Sequence, residues 1–224
     1  MLIWYLARGA GISSFAMLSL ATAAGALTSG RGCSIERRVV VQYVHRSAAL
    51  TGLALLALHI VTILADSFAG VGAAGALLPL ASGYRPLAVS FGVLSMYLLV
   101  AATVTGLLRS RFARSAAASR RWRGIHLAGY AAWAAAAWHF YTAGTDAGQW
   151  WARLVLLAGI WAVAGGLIGR LARPAAVRSA GRATGGAAPT VDSIPRVTER
   201  QPVVAGATRI GNPLGSEARD DRAA

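Results

Sequence analysis

VVVQYVHRSAALTGLALLALHIVTILAD, residues 39–66, decides the fold of this chain. It is long and apolar enough to cross a bilayer, yet it carries two histidines, His45 and His59, 14 residues apart. At about 1.5 Å per helical residue the two lie roughly 21 Å apart along the axis. A hydrocarbon core about 30 Å thick would then hold one near each side. Fourteen steps of about 100° return to within about 40° of the starting direction, so both rings face one side of the helix. A histidine inside a membrane span is costly and marks a functional site with a partner.

A second segment answers it. Residues 124–143, GIHLAGYAAWAAAAWHFYTA, hold His126 and His139, 13 apart, and the chain's four histidines all lie in these two segments. Two helices with a histidine at each of two depths can oppose two imidazole pairs. That arrangement suits two stacked six-coordinate b-type haems, each iron held by one nitrogen from each helix. Interhelical hydrogen bonding is the plainer use of one membrane histidine. A single non-haem metal ion would need ligands converging at one depth. One tension stands: thirteen ideal steps leave His126 and His139 roughly 140° apart around their helix.

Composition sets the frame. Of 224 residues, 56% are hydrophobic and 13% charged, the balance of a membrane bundle and not of a soluble domain. Twenty-two basic residues, every one an arginine, face eight acidic ones for a formal charge of +14. With 26 glycines and abundant alanine, this points to a GC-rich bacterial genome. The arginines sit in loops between apolar stretches, which speaks for topology and anionic headgroups and against nucleic acid. The lone cysteine, Cys33, excludes an internal disulfide or a CxxC motif. No basic region precedes the first apolar run, so a cleavable signal peptide is not expected. No Ser/His/Asp, paired-carboxylate or Walker pattern supports hydrolysis or phosphoryl transfer.

The expected architecture is an all-α, polytopic membrane helix bundle of about five transmembrane helices. The spans fall at about 2–27, 39–66, 85–108, 124–143 and 150–171. Residues 67–85 form a Gly/Ala-rich connection whose apolar part is too short to span and suits the interface. The loop at 109–123 holds six arginines and no acid. Residues 1–171 form the transmembrane domain, and 172–224 a disordered tail without apolar periodicity. The tail is too short for a flavin or nicotinamide domain and has no G-x-G-x-x-G behind a strand. Arginine-rich loops at 28–38 and 109–123 belong in the cytoplasm and the near-neutral loops at 66–85 and 144–149 outside. The N-terminus is then outside and the C-terminus inside, in a bacterial inner membrane. His45 pairs with His126 on the cytoplasmic side, and His59 with His139 on the outer side.

Other residues admit two readings each. Arg8, within the first span, and Arg46, beside His45, could bind haem propionates through paired hydrogen bonds, or snorkel to headgroups. Gly52, midway between His45 and His59, could admit a porphyrin face or serve close helix packing, and Gly129 likewise. Trp133 and Trp138 could touch a porphyrin or belong to an interfacial belt. The 109–123 arginines are a topology anchor or a docking face for an acidic partner.

These residues resemble the ferric reductase-like transmembrane domain family. That family includes the membrane part of NADPH oxidases, ferric-chelate reductases and the haem-binding membrane subunit of the bacterial methionine-sulfoxide reductase system. The similar features are W-Y-L-A-R-x-x-G at 4–11, H-R-x(12)-H at 45–59, W-R-x-x-H-x-x-x-Y-x(8)-H at 122–139 and A-G-T-D at 143–146. The resemblance covers about residues 1–170. It implies that His45, His59, His126 and His139 ligate two haems b and that the protein carries electrons across the membrane. Family members usually have six spans, and many carry a C-terminal flavin/NAD(P)H domain; here five spans are counted and no such domain. The implied donor is therefore a separate cytoplasmic flavoprotein or a membrane quinol. The acceptor lies outside: ferric iron, oxygen or an extracytoplasmic redox partner. The alternatives are a non-catalytic haem-bearing anchor subunit of another redox enzyme and a cofactor-free transporter or structural protein.

Overall fold

The structure, a computed structural model, describes residues 1–28, 34–112 and 115–184. Among these residues it is all helix and turn. The helices are α1 (Leu2–Leu27), α2 (Ile35–Ala65), α3 (Gly72–Leu77), α4 (Pro86–Leu107), α5 (Arg109–Phe112), α6 (Ala116–His126), α7 (Ala128–Ala143) and α8 (Trp150–Thr184).

Local chemistry sets several of the helix starts. Ser34 caps α2, its hydroxyl accepting from the Arg37 amide, and Glu36 sits in the first turn where the helix dipole favours an acid. Ser115 caps α6 in the same way through the Ala118 amide at 3.1 Å. Pro86 opens α4, where its missing N–H costs nothing.

The packing is inverted relative to a soluble protein. Most buried positions are small: Ala7, Ala21, Ala26, Ala48, Ala102, Ala132 and Ala152 among them, with Ser14, Ser19 and Ser95, beside the larger Phe15. Large apolar side chains such as Leu50, Val61, Leu87, Trp161 and Leu171 lie on the outside. Small residues let helix backbones approach where lipid removes any hydrophobic drive between them, and large ones meet the acyl chains. α1, α2, α4 and the 150–172 part of α8 are each long and apolar enough to cross a membrane. The chain is a multi-pass membrane bundle.

Three boundaries differ from the sequence expectation. The fourth expected span is a broken helix: α7 has only 16 residues, and α6 leads into it through a turn at Leu127. At about 1.5 Å per residue α7 alone falls short of a bilayer, so four helices, not five, qualify on their own. The stretch 109–123, expected as a loop, is mostly helical in α5 and α6, because Ser115 and an alanine run start a helix that arginine does not oppose. Helix α8 runs on to Thr184, past the expected boundary at 171. The rest of the expected tail, and Cys33, lie outside the described residues.

Two hairpins organise the bundle. α1 packs antiparallel on α2, and α4 packs on α6 and α7. α8 and α7 both lean on α1. Among the described residues no Cα of α2 comes within 8 Å of one in α4, α6 or α7. A slot therefore separates α2 from the second hairpin, and the histidines border it.

Candidate functional site

All four histidines are held in one way. His45 Nδ1 lies 2.7 Å from the Ala21 carbonyl and His59 Nδ1 2.7 Å from that of Ala7, both on α1. His126 Nδ1 lies 3.0 Å from the Ala102 carbonyl and His139 Nδ1 2.8 Å from that of Ala88, both on α4. A carbonyl oxygen can only accept, so each Nδ1 carries the hydrogen. In a neutral imidazole that leaves the Nε2 lone pair free, which is the protonation a metal ligand needs.

One expected couple is in ring contact, and the other two histidines share a cavity. His45 and His126 have centroids 6.1 Å apart and planes at 77°. Two metal–imidazole bonds of about 2.0 Å, as in zinc sites, together with the ring radii, call for centroids roughly 6 Å apart. The inner couple thus has the spacing for one shared metal. His59 and His139 line a single cavity of about 420 Å³, with walls from α1, α2, α4 and α7. That volume is in the range of small-molecule and cofactor sites, about 300–1,000 Å³. Among the described residues no three His, Cys, Asp or Glu side chains cluster as on one metal ion.

The break at Leu127 resolves the spacing tension. From His59 to His45 the chain steps back 14 residues while the acceptors on α1 step forward 14. From His139 to His126 it steps back 13 while the acceptors on α4 step forward 14. The Tyr130 amide donates to the Leu127 carbonyl at 3.0 Å, an i→i+3 bond. Tighter winding of this kind adds both rise and rotation per residue. Both corrections run the right way, and both rings face α4.

The remaining sequence candidates fall as follows. Arg8 lines the cavity, but its guanidinium is engaged by both oxygens of Asp146 and lies 3.8 Å from the Trp4 ring centroid. Arg46 is exposed on α2. Gly52 faces α1: its carbonyl accepts from Ser14 Oγ at 2.9 Å, and a Cβ there would meet Leu18 at 2.9 Å. It is not among the cavity's lining residues, so it serves close helix packing. Gly129 packs toward Ala102 of α4. Trp133 donates to Ser19 Oγ at 2.9 Å and stacks on Phe15, tying α7 to α1, while Trp138 is exposed and meets Phe91. Neither tryptophan lines the cavity.

Other residues gather at the histidines beyond the site candidates of the sequence. Trp122 stacks on His126 with ring centroids 5.2 Å apart and planes at 14°, and its Nε1 donates to the Thr105 carbonyl at 2.8 Å. The Arg109 guanidinium lies 5.4 Å from the Trp122 ring centroid. Four glycines sit against the four histidines: Gly11 by His59, Gly25 by His45, Gly92 by His139 and Gly106 by His126. Backbone acceptors leave no mark in a sequence, but the glycines do, at a fixed distance from them.

The residues present fit two haems. Each imidazole donates its Nδ1 hydrogen to a carbonyl and so could hold haem through Nε2, and the glycines leave the rings free to lie close to the neighbouring helices. No family model matches the chain, and no curated protein or solved structure matches it.

Proposed function

We propose that this chain is a transmembrane electron carrier of the ferric reductase-like kind, holding two haems b between His45 and His126 and between His59 and His139. Haem supplies reversible one-electron chemistry when bound, with a potential set by axial ligand, hydrogen bonding and burial. The observation that carries the reading is the uniform treatment of the four imidazoles. Each gives its Nδ1 hydrogen to a carbonyl of the adjacent helix, and the inner couple stands 6.1 Å apart. Structural polar glue would place both ring nitrogens in hydrogen bonds and would not need opposed partners.

The protein's own share is to hold, orient and enclose. Carbonyls fix the ring tautomer, small residues let rings and helices close up, and the large apolar exterior excludes water from the slot. By the positive-inside rule the arginine distribution favours α5 and α6 on the cytoplasmic side and the Arg8–Asp146 end outside, as expected for a bacterial inner-membrane protein. Electrons then come from a separate cytoplasmic flavoprotein or a membrane quinol and leave to an acceptor beyond the outer face.

Haem stoichiometry is the test. Protein purified after haem-replete expression should show a reduced b-type spectrum with two haems per chain. A colourless protein ends the proposal. Reduction of an external ferric chelate by proteoliposomes given a cytoplasm-side flavin reductase separates an electron carrier from a non-catalytic anchor subunit.

A further inference from the structure

We propose that Gly11, Gly25, Gly92 and Gly106, together with the carbonyls of Ala7, Ala21, Ala88 and Ala102, are positioning residues: four copies of one seat that sets the rotation and basicity of each haem-ligand imidazole. The inference rests on the haem reading above and concerns residues that reading does not require.

In every case the glycine stands four residues after the accepting carbonyl. In a helix that carbonyl already receives the amide of the residue four on, here the glycine itself. The imidazole takes the carbonyl's second lone pair and approaches from the side that a residue at the glycine position would cover. The clearance shows why no side chain stands there. A Cβ on Gly92 would lie 2.8 Å from His139 Nδ1, and one on Gly11 2.9 Å from His59 Nδ1. On Gly25 it would lie 3.1 Å from His45, and on Gly106 3.5 Å from His126. An added methyl would push at the nitrogen whose hydrogen bond orients the ring at the first two sites.

The seats occur in a repeated frame. L-A-x-x-x-G-x-x-S-x(6)-A-x-x-x-G runs over residues 6–25 of α1 and again over 87–106 of α4, 81 residues later. The serine midway between the seats does the same work twice. Ser14 Oγ donates to the Gly52 carbonyl at 2.9 Å, and Ser95 Oγ to the Ala132 carbonyl at 2.8 Å. Each serine pins its helix to the histidine-bearing partner. Close helix packing explains one glycine at a crossing. It does not explain four glycines that each touch a histidine one turn beyond that histidine's acceptor. The hydrogen bond also makes each imidazole a stronger donor to a metal, which lowers the reduction potential at that centre.

The test compares alanine variants of full-length protein, read by haem content, low-temperature EPR and redox titration, with monodisperse elution as the folding check. Gly11→Ala and Gly92→Ala should shift or abolish the outer-haem signal and leave the inner one. Gly9→Ala, on the open side of α1 where nothing lies within 4 Å, should leave both. Should Gly11→Ala and Gly92→Ala fail to fold, Gly106→Leu adds bulk at the roomiest seat and should shift the inner signal alone. Unchanged EPR and potentials in folded Gly11→Ala and Gly92→Ala, or in Gly106→Leu, overturn the seats while leaving the haems standing. Wild-type protein without haem overturns the reading beneath them instead.

Discussion

The outer and inner histidine couples use the same hydrogen bond and the same type of seat, yet their surroundings differ. His59 and His139 are more deeply enclosed than His126, in a cavity that Arg8 and Asp146 also line. Their seats are the two tightest, with Cβ clearances under 3.0 Å. His126 is less enclosed, has the loosest seat, and is covered by Trp122 with Arg109 above it. A duplicated frame places the two histidine couples alike, and the loops and helix ends that cap the frame make their surroundings unlike. Arg8 and Asp146 join the walls around His59 and His139, whereas a stacked aromatic beside arginine-bearing helices covers His126.

The largest expected effect comes from removing a ligand. His139→Ala should cost the outer haem and leave the inner, and His126→Ala the reverse, measured as haem per chain by pyridine haemochrome. If either substitution removes both haems from folded protein, the couples are not independent and the comparison fails. Ring geometry offers a finer check on the intact protein. With planes at 77°, the His45–His126 couple should give a strongly anisotropic low-spin EPR signal, the signature of crossed axial imidazoles. The signal should vanish in His126→Ala and survive in His139→Ala.

Much of this was legible in the sequence. Four of the five expected spans follow from hydropathy, and the four histidines stand out as site candidates, because a bilayer imposes one length and penalises polar groups. The exceptions are instructive. The phase mismatch between His126 and His139 was visible, but its remedy, a break at Leu127, depends on a register with α4 that only the folded pair defines. Gly52 stood at the midpoint of a histidine pair and still faces Leu18, since spacing along one helix does not say which neighbour occupies which face. The repeat of Leu, Ala, Gly and Ser across 81 residues was in plain sight. Its meaning was not, because half of each seat is a backbone carbonyl. Arg8 reads as a free cation until the fold brings Asp146, 138 residues away, to it.

A middle-sized effect is expected at Trp122. Trp122→Ala removes a ring stack worth about 0.5–1.5 kcal/mol and a hydrogen bond worth about as much. The protein should melt lower, and the midpoint potential and EPR signal of the inner haem should change while the outer ones stay. Trp122→Phe should recover the stack but not the bond to Thr105, and hence part of the shift. An equal change at both haems would show that Trp122 steadies the bundle as a whole and not the inner site.

The smallest effect is expected at the Arg8–Asp146 ion pair in the wall of the cavity around His59 and His139, where it sharpens the role of Arg8. Nε and Nη2 of Arg8 engage the two oxygens of Asp146, a forked geometry that lysine cannot reproduce, and the Trp4 ring lies beneath the guanidinium. The pair is neither fully exposed nor fully buried. Its rupture should therefore cost between the roughly 0–1 kcal/mol of a surface pair and the roughly 3–5 kcal/mol of a buried one. As a clasp between α1 and the loop before α8, it predicts that Arg8→Lys and Asp146→Asn lower the melting temperature alike and leave haem content at two. Were Arg8 instead engaged with a haem propionate, Arg8→Lys would weaken that contact and shift the outer potential one way, and Asp146→Asn would release the guanidinium to bind that carboxylate more strongly and shift it the other way. The two substitutions then move the outer midpoint in opposite directions, and a redox titration of each decides between clasp and propionate partner.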